Sequence, residues 1–522
     1  MTPTPLSLQA TQPPATRRAA GVGTGVLVPL LALVGATALT LGLETRLLPA
    51  WIVLALGSVL LVAFLTIEIG GLRRQMPAGA AWAISPVVVA SAYTFIGAFG
   101  LTNVLFWTSD YGLTHPYART LEPEWLARAS LYGVVAAAAM WAGFHSWLGV
   151  GLGRALWRST WLARVIRTSP DIRWVSFWAC VVLSLAARVT KVRLGFYGVL
   201  GDAEALGGTF RQLLNYGDDL GLVALIGLSS AVFSRPVAPT ALRALLLGLL
   251  VNECLWGALA ADKTNTVLPV VVAGLAYYWY RREIPLQFVG LGALLLAGSF
   301  LVFMPLRRAA LNGTDVDVRS VSALTDAVFG TASTELLRGT AKEGASADLG
   351  SAILERINET EIAAIALRYH ENNPDDPIPK TLARDILFTP AYTLVPRAVW
   401  PSKPRSQNVG KWFYQGVLGG KSETTLAGPT MIGYLNFAGG FLAVVLGFAL
   451  IGVLQRGAHD RLFPVASGGA LLVLLGLLGT LGQLPSQFIY VVALPFRLVP
   501  VLLVVQYVIF RPEPSFRPAP EP

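Results

Sequence analysis

Long apolar runs constrain this chain more than any other feature of its sequence. Runs of about 20 residues with few charges recur along it, and ~20 helical residues are needed to cross a hydrocarbon core of ~30 Å. Inside lipid, every backbone polar group must find a partner within the protein, so a run of this length forms a helix. The 522 residues therefore predict an all-α polytopic membrane protein.

The composition supports this class. Hydrophobic residues make up 54% of the chain and charged residues 13%, about half of the ~25% that is usual in soluble domains. This balance argues against a water-soluble enzyme. Both cysteines, Cys180 and Cys254, fall inside apolar runs, so they are predicted to be buried apolar side chains and not a disulfide.

Hydropathy predicts about twelve transmembrane helices, which together span residues 21–304 and 430–510. They are expected at about 22–43, 51–70, 80–107, 131–152, 174–190, 217–234, 243–260, 264–280, 286–304, 430–454, 463–481 and 488–510. Residues 1–20, rich in Pro and Thr, are predicted to be a disordered tail, and residues 511–522 a second tail.

Basic residues are unevenly distributed between the two sets of loops, and this predicts the orientation. The loops assigned to one side, with Arg243 at a span end, hold 17 basic and five acidic residues, and the opposite short loops hold seven basic and nine acidic ones. The positive-inside rule then places both tails in the cytoplasm and residues 305–429 outside it, as a loop domain between spans nine and ten. The excess of positive charge is a topology signal, so no nucleic-acid partner is expected.

The long outer segment is expected to have structure of its own, because loops beyond ~15 residues usually carry function or structure. Residues 349–369 have helix-forming composition, and seven prolines between 374 and 404 are expected to break the helix after it. Five side chains in this segment are possible general bases. They are Glu355, Glu359, Glu361, His370 and Asp385.

The most distinctive stretch is residues 396–405, which read PRAVWPSKPR. Three prolines favour an extended backbone, and with the three residues per turn of polyproline II, Arg397, Trp400 and Lys403 would project from one side. Two cations and an indole suit a phosphate or pyrophosphate that carries a sugar. The alternative is an interfacial loop anchored at lipid headgroups.

Two further groups of charges lie at outer span ends. Arg188 and Lys191 are three residues apart and lie on one side of a helix. They either point into a cavity or towards a partner, or they extend to the membrane–water interface. Asp262, Lys263 and Asn265 form a polar turn that either holds a lipid phosphate or caps the next helix.

Two opposite charges lie near the middle of predicted spans. Glu253 and Arg497 are expected to form a structural pair, or Glu253 serves a proton relay. The sequence holds no HExxH, Walker A, GxSxG or paired CxxC motif, so no metal site and no cofactor are predicted.

Together these features resemble the bacterial oligosaccharide repeat-unit polymerases, the Wzy-type O-antigen polymerases. The resemblance covers roughly residues 188–460. It rests on Lys263-x-Asn265 after an outer turn, a span ending in Arg281-Arg282, the PRxxWPxKP element of the long outer loop, and GYLNFAGG at 433–440.

The resemblance implies a GT-C-like enzyme of the bacterial cytoplasmic membrane that joins polyprenyl-pyrophosphate-linked oligosaccharide repeats at the outer face. A flippase and a chain-length regulator are possible partners, besides the membrane lipid. The leaving pyrophosphate is anionic and needs cations, while the attacking hydroxyl needs a base. The roles it implies are pyrophosphate binding for Arg397, Lys403, Arg188, Lys191, Lys263 and Arg405, sugar stacking for Trp400, and general base for Glu359, with His370 in reserve.

Three other functions stay open at this point. An O-antigen ligase would share the topology and the lipid-linked donor and differ in its acceptor. A transporter or flippase of lipid-linked glycan would also have twelve spans, although the long outer segment and the missing internal symmetry argue against it. A structural scaffold would not need the basic and aromatic strip at 396–405.

Overall fold

The computed structural model describes most of the chain as helix. The described residues are 22–76, 81–104, 106, 121–197, 208–311, 358–395, 400, 409–420, 427–463, 467–484 and 487–512.

Seventeen helices make up most of the described residues. They are α1 (Val22–Glu44), α2 (Ala50–Gln75), α3 (Pro86–Val104), α4 (Pro123–His145), α5 (Trp147–Arg158), α6 (Thr160–Ile166), α7 (Trp174–Arg193), α8 (Gly208–Phe233), α9 (Thr240–Leu259), α10 (Lys263–Arg281), α11 (Leu286–Leu311), α12 (Glu359–Asn372), α13 (Pro377–Leu394), α14 (Val409–Trp412), α15 (Thr430–Leu462), α16 (Gly468–Leu477) and α17 (Ile489–Ile509). In α3, residues Ser91–Gly100 have π-helical hydrogen bonding.

Within the described residues, nine helices are long and apolar enough to cross a membrane: α1 to α4, α7 to α9, α15 and α17. Two shorter apolar helices, Leu286–Ser299 and Gly468–Gly482, coincide with predicted spans nine and eleven. The prediction of an all-α polytopic membrane protein is thus confirmed in its general form. The count of twelve spans stays a prediction.

The fourth predicted span is shifted along the chain. It was expected at 131–152, but α4 begins at Pro123 and ends at His145, because Pro123 occupies the first turn and Ser146 starts a new helix. The Ser146 hydroxyl accepts a hydrogen bond from the Gly149 amide at 3.1 Å, which caps α5. The shift places Trp125 and Arg128 on the first turns of α4.

Where the described residues cover it, the long segment after α11 contains α12, α13 and the short helix α14. The side chain of Asn358 caps α12 through the Thr360 amide at 3.0 Å, and Asp376 caps α13 through the Ile378 amide at 2.9 Å. Helix α12 ends at Asn372, just before Pro374, as expected, but a second helix then begins at Pro377, because proline in the first turn leaves no helical hydrogen bond unmade. The helix also continues through Pro390.

The chain divides into two compact units. The first contains residues 1–160, 351–465 and 476–499, and the second contains residues 161–350, 466–475 and 500–522. In the second unit, β1 (Thr168–Ile172) pairs antiparallel with β2 (Phe510–Pro512), with Thr168 opposite Pro512 and Ile172 opposite Phe510. This small ribbon is an exception to the all-α prediction.

In the first unit, α4 and α15 cross at glycine. A Cβ added to Gly143 would overlap the Ala449 carbonyl oxygen, and one added to Gly452 would overlap that of Met140. The two backbones therefore touch, as small residues allow between membrane helices.

The α15 helix is broken near its start. Gly440 has φ 64° and ψ −158°, a conformation essentially restricted to glycine, so Thr430–Phe437 forms a separate segment ahead of the long one. All of Thr430–Phe437 is buried, whereas Phe441 and Leu442, just after the break, are 52% and 64% exposed. The predicted span at 430–454 is therefore two segments, of which the second exposes apolar side chains along one side.

We predict that Gly452→Ala destabilises the protein by about 1–3 kcal/mol or more, because the added methyl group has no room at the α4–α15 crossing. The control is Gly70→Ala on α2, where nothing lies within 4 Å of an added Cβ. Thermal unfolding in detergent should show a lower Tm for Gly452→Ala and an unchanged or higher one for Gly70→Ala. Equal melting temperatures for the two variants would contradict the crossing.

Candidate functional site

The second unit contains a buried group of charges centred on Arg188 of α7. The Arg188 guanidinium donates to both oxygens of Glu253, at 2.9 and 2.6 Å, and its Nε donates to Asp218 Oδ1 at 2.6 Å. Lys191 Nζ donates to Asp218 Oδ2 at 2.7 Å. Arg188, Lys191 and Glu253 are buried and the Asp218 side chain is 25% exposed, so two cations and two carboxylates form a network that reaches the surface only at Asp218.

Small neighbours make room for this network. A Cβ at Gly221, on the helix that carries Asp218, would lie 2.5 Å from Oε1 of Glu253. The Asp218 carbonyl also accepts from the Ser184 hydroxyl at 2.9 Å, which ties α7 to α8. The three helices α7, α8 and α9 thus meet where their charges neutralise one another.

This geometry changes the interpretation of Arg188 and Lys191. Both were predicted as pyrophosphate ligands, and the structure shows each of them in ion pairs with carboxylates. Glu253, which was expected to pair with Arg497 or to serve a proton relay, accepts hydrogen bonds from Arg188 at both of its oxygens. Direct binding of pyrophosphate by Arg188 or Lys191 would require competition with Asp218 and Glu253, and it stays a prediction.

Asp218 and Asp219 are absent from the candidates that the sequence suggested. Their signal is present in the sequence, since two adjacent carboxylates stand in the otherwise apolar stretch that forms α8. Intramembrane carboxylates usually have a partner or a function. Asp218 has Arg188 and Lys191 as partners. The exposed Asp219 next to it interacts electrostatically with the same two cations.

The polar turn before α10 caps that helix. Asp262 accepts from the Thr264 and Asn265 amides at 2.8 and 3.4 Å, and its other oxygen accepts from the Asn265 side chain at 2.9 Å. The capping alternative therefore describes Asp262 and Asn265. Binding of a phosphate by Lys263, the first residue of α10, stays a prediction.

In the first unit, Arg128 joins three helices at one end of the bundle. Its guanidinium bonds to Glu44 at the end of α1 at 2.8 Å and to Glu371 near the end of α12 at 3.0 Å. It also lies over the Trp125 ring, 4.9 Å from the centroid. Helix α12 is thereby fixed at the end of the unit where α1 turns into α2.

A polar cavity of about 450 Å³ lies beside Arg128, between the start of α4 and the C-terminal half of α12. Its lining residues are Glu122, Trp125, Ile365, Arg368, Tyr369, Asn372, Asn373 and Val417. Two aromatic rings, two amides, a carboxylate and a guanidinium on a concave surface can stack on and hydrogen-bond to a polyhydroxylated ligand. The sequence analysis missed this cavity because the start of α4 was placed eight residues too late.

The two candidate bases, Glu359 and His370, lie at opposite ends of α12. Eleven residues at 1.5 Å each separate them by ~16 Å along the axis, so they cannot serve the same atom. Neither lines the cavity. The His370 ring packs edge-on against Phe437 at 5.8 Å, and among the described residues its buried Nδ1 has no hydrogen-bond partner.

Burial changes the proton affinity of both groups. Burial raises the pKa of Glu359 from 4.5 to about 8, and burial lowers the pKa of His370. Tyr369, which donates to Asp376 at 2.7 Å, has its pKa raised to about 12 by burial and by that hydrogen bond. Glu359 is thus a carboxyl group that changes charge close to neutral pH, as a general base requires.

Aromatic rings fill the space beneath α12. Phe437, from the buried first segment of α15, contacts Tyr369, Trp412 and Phe413 with centroids 5.3 to 6.4 Å apart. The predicted sugar-stacking residue Trp400 lies 5.8 Å from Tyr392 of α13. Arg397, Lys403 and Arg405, predicted to bind pyrophosphate, lie outside the described residues.

Within the described residues, no three His, Cys, Asp or Glu side chains come together as a metal site would need. No protein-family model matches this chain. No curated protein gives a significant match, and neither does any solved structure. The interpretation of the site therefore rests on its own geometry and chemistry.

We predict that Glu253→Gln destabilises the protein by about 3 kcal/mol, because it leaves the buried Arg188 charge without its bidentate partner. The control is Glu283→Gln, since Glu283 is exposed and a surface substitution changes stability by about 0.5 kcal/mol or less. Unfolding of both variants in detergent measures the difference. Identical stabilities would mean that the Arg188–Glu253 pair contributes nothing.

We predict that Glu359 makes stability depend on pH. The folded state keeps the Glu359 proton up to a pKa of about 8, while the unfolded state releases it near 4.5, so stability falls as the pH rises through that window and levels off above it. Glu359→Gln removes this term. The Tm of the variant minus that of the wild type should therefore increase with pH, and parallel curves would contradict the raised pKa.

Proposed function

We propose that this protein is a membrane glycosyltransferase that joins polyprenyl-pyrophosphate-linked oligosaccharide repeats at the outer face of the bacterial cytoplasmic membrane. The observation that carries the proposal is the polar cavity at the α12 end of the first unit. Its Trp, Tyr, Asn, Arg and Glu side chains suit a glycan better than an apolar substrate or a metal.

The charge distribution of the first unit supports an outer position for this cavity. The opposite end of its helices holds Arg73 and Arg74 of α2, Arg158 of α5, and Arg456 and Arg461 of α15. The positive-inside rule assigns such an end to the cytoplasm. The cavity end holds Glu44, Glu122 and Glu371 beside Arg46, Arg128 and Arg368, without that basic excess, and would then face the periplasm or the outside.

In the proposed reaction, a sugar hydroxyl of one lipid-linked repeat attacks the anomeric carbon of a chain linked to polyprenyl pyrophosphate. The new glycosidic bond forms as the bond to the pyrophosphate oxygen breaks, and the hydroxyl proton passes to a base. Glu359 is our assignment for the base, because its pKa near 8 lets the ionised carboxylate take that proton readily. Arg397, Lys403 and Arg405 are assigned to the leaving pyrophosphate, and Trp400 to a sugar ring.

The first test compares lipid-linked and surface glycan in cells with and without this protein. We expect single repeats where the wild type shows a ladder of long chains. Full-length chains that accumulate on the carrier lipid would instead indicate a ligase. No change in glycan would exclude both enzymes and leave transport.

The second test uses variants of the site. We expect Glu359→Gln to slow chain growth by about 10²-fold or more, as loss of a general base does, and Trp125→Ala to shorten the chains through weaker glycan binding. The control is Trp147→Ala at the start of α5, which is 80% exposed and lies beyond the end of α4 that is opposite the cavity. Equal ladders for Trp125→Ala and Trp147→Ala would remove the cavity from the proposal.

A further inference from the structure

Helix α13 carries one exposed stripe whose polarity changes along its length. Lys380, Arg384, Leu387, Ala391 and Leu394 follow one another at spacings of three and four residues, so they share a helix face. All five are exposed. The stripe is cationic in the N-terminal half of the helix and apolar in the C-terminal half.

The opposite face of α13 is the one that packs on the protein. Leu382, Asp385 and Thr389 are buried, and α13 contacts α15. Asp385 lies near enough to Tyr434, in the buried first segment of α15, for the two to interact electrostatically. The stripe is therefore the outer surface of a helix that is already docked.

The apolar half of the stripe is unfavourable in water. Leu387 is 77% exposed and Leu394 is 61% exposed, and Phe388 beside them is 51% exposed. Removing a Leu or Phe side chain from water is favourable, so three such residues on one side of a short helix indicate an apolar environment. Phe388 is in ring contact with Tyr392 of the same helix, with ring centroids 6.1 Å apart.

Three observations identify that environment as lipid. The α15 segment on which α13 packs is followed, directly after the Gly440 break, by the exposed apolar side chains Phe441 and Leu442. Tyr392 and Trp400 are in contact at the C-terminal end of α13, and such aromatic residues prefer the boundary between membrane and water. The cations at the other end of the stripe suit anionic headgroups, where basic residues of interfacial helices lie.

We propose that α13 lies obliquely in the membrane interface, with Leu387, Ala391 and Leu394 among the lipid acyl chains and with Lys380 and Arg384 at headgroup level. The gradient of polarity sets the tilt, because a helix lying flat would place its apolar residues along the whole stripe. This inference needs only the membrane location of the chain, and it holds or fails independently of the proposed enzyme activity.

The inference is tested on the full chain in vesicles of phosphatidylcholine and phosphatidylglycerol. Cys180 and Cys254 are replaced, and single cysteines at 380, 384, 387, 391 and 394 carry a nitroxide spin label. Accessibility to oxygen reports lipid, and accessibility to a water-soluble nickel chelate reports water. Leu446→Cys, 60% exposed on α15, is the lipid control, and Asp375→Cys, with a side chain 98% exposed, is the water control.

We expect the ratio of oxygen to nickel accessibility to rise along the stripe, from that of Asp375→Cys at 380 to that of Leu446→Cys at 394, a several-fold increase. Water-like values at all five positions would overturn the inference. Protection from both reagents at 387, 391 and 394 would also overturn it, since it would indicate a covering protein surface.

A second measurement uses the unmodified chain, so it does not depend on the folding of any variant. Vesicles that contain a lipid with a photoactivatable diazirine in its acyl chain are illuminated, and the protein is digested with trypsin. Cleavage after Arg384 and Arg397 releases the peptide 385–397. We expect adducts on this peptide within residues 387–394 and none on 369–380, and unlabelled 385–397 beside labelled peptides of α15 would overturn the inference.

Discussion

The contact between the backbones of α4 and α15 is the constraint on which the first unit depends. Gly143 and Gly452 allow the two helices to touch, and α12 then rests on both of them. The break at Gly440 turns the start of α15 into a short buried segment that carries Phe437 to the underside of α12. The cavity at Trp125 and Tyr369 thus exists because two membrane helices are packed closely enough to support a third helix at their end.

Several charged side chains inside the spans of both units have a charged or polar partner close by. Arg188 and Lys191 meet Asp218 and Glu253 in the second unit. In the first unit, Glu68 lies 3.1 Å from His145, and Arg456 bonds to Asp460 at 2.8 Å. A lone charge in a low-dielectric environment is costly, so these pairs contribute to helix assembly whether or not a substrate ever meets them.

The sequence was sufficient for the class of fold and for the approximate position of most membrane helices, because an apolar run of ~20 residues fits little besides a membrane-spanning helix. Residues at the helix ends explain where the prediction failed. Helix α4 begins eight residues earlier than predicted, with Pro123 in its first turn, and Ser146 caps the helix that follows it. Pro377, predicted to be a helix breaker, lies in the first turn of α13. The site was less predictable. Arg188 pairs with Asp218, which is thirty residues away and on another helix, and no spacing in the sequence reveals such a pairing.

The position of α12 also limits how the proposed reaction can be arranged. Glu359 is in its first turn and Asn372 in its last, which places the candidate base ~20 Å from the far wall of the cavity at 1.5 Å per residue. The two also lie on different faces of the helix, since Glu359 shares its face with His370 and the cavity is lined by Arg368, Tyr369 and Asn372. A glycan bound in the cavity would therefore be held at sugars remote from the bond being made. Contacts made in the cavity would position the glycan chain without involving the reacting atoms. Loss of Trp125 should therefore alter chain length more than the rate of a single transfer.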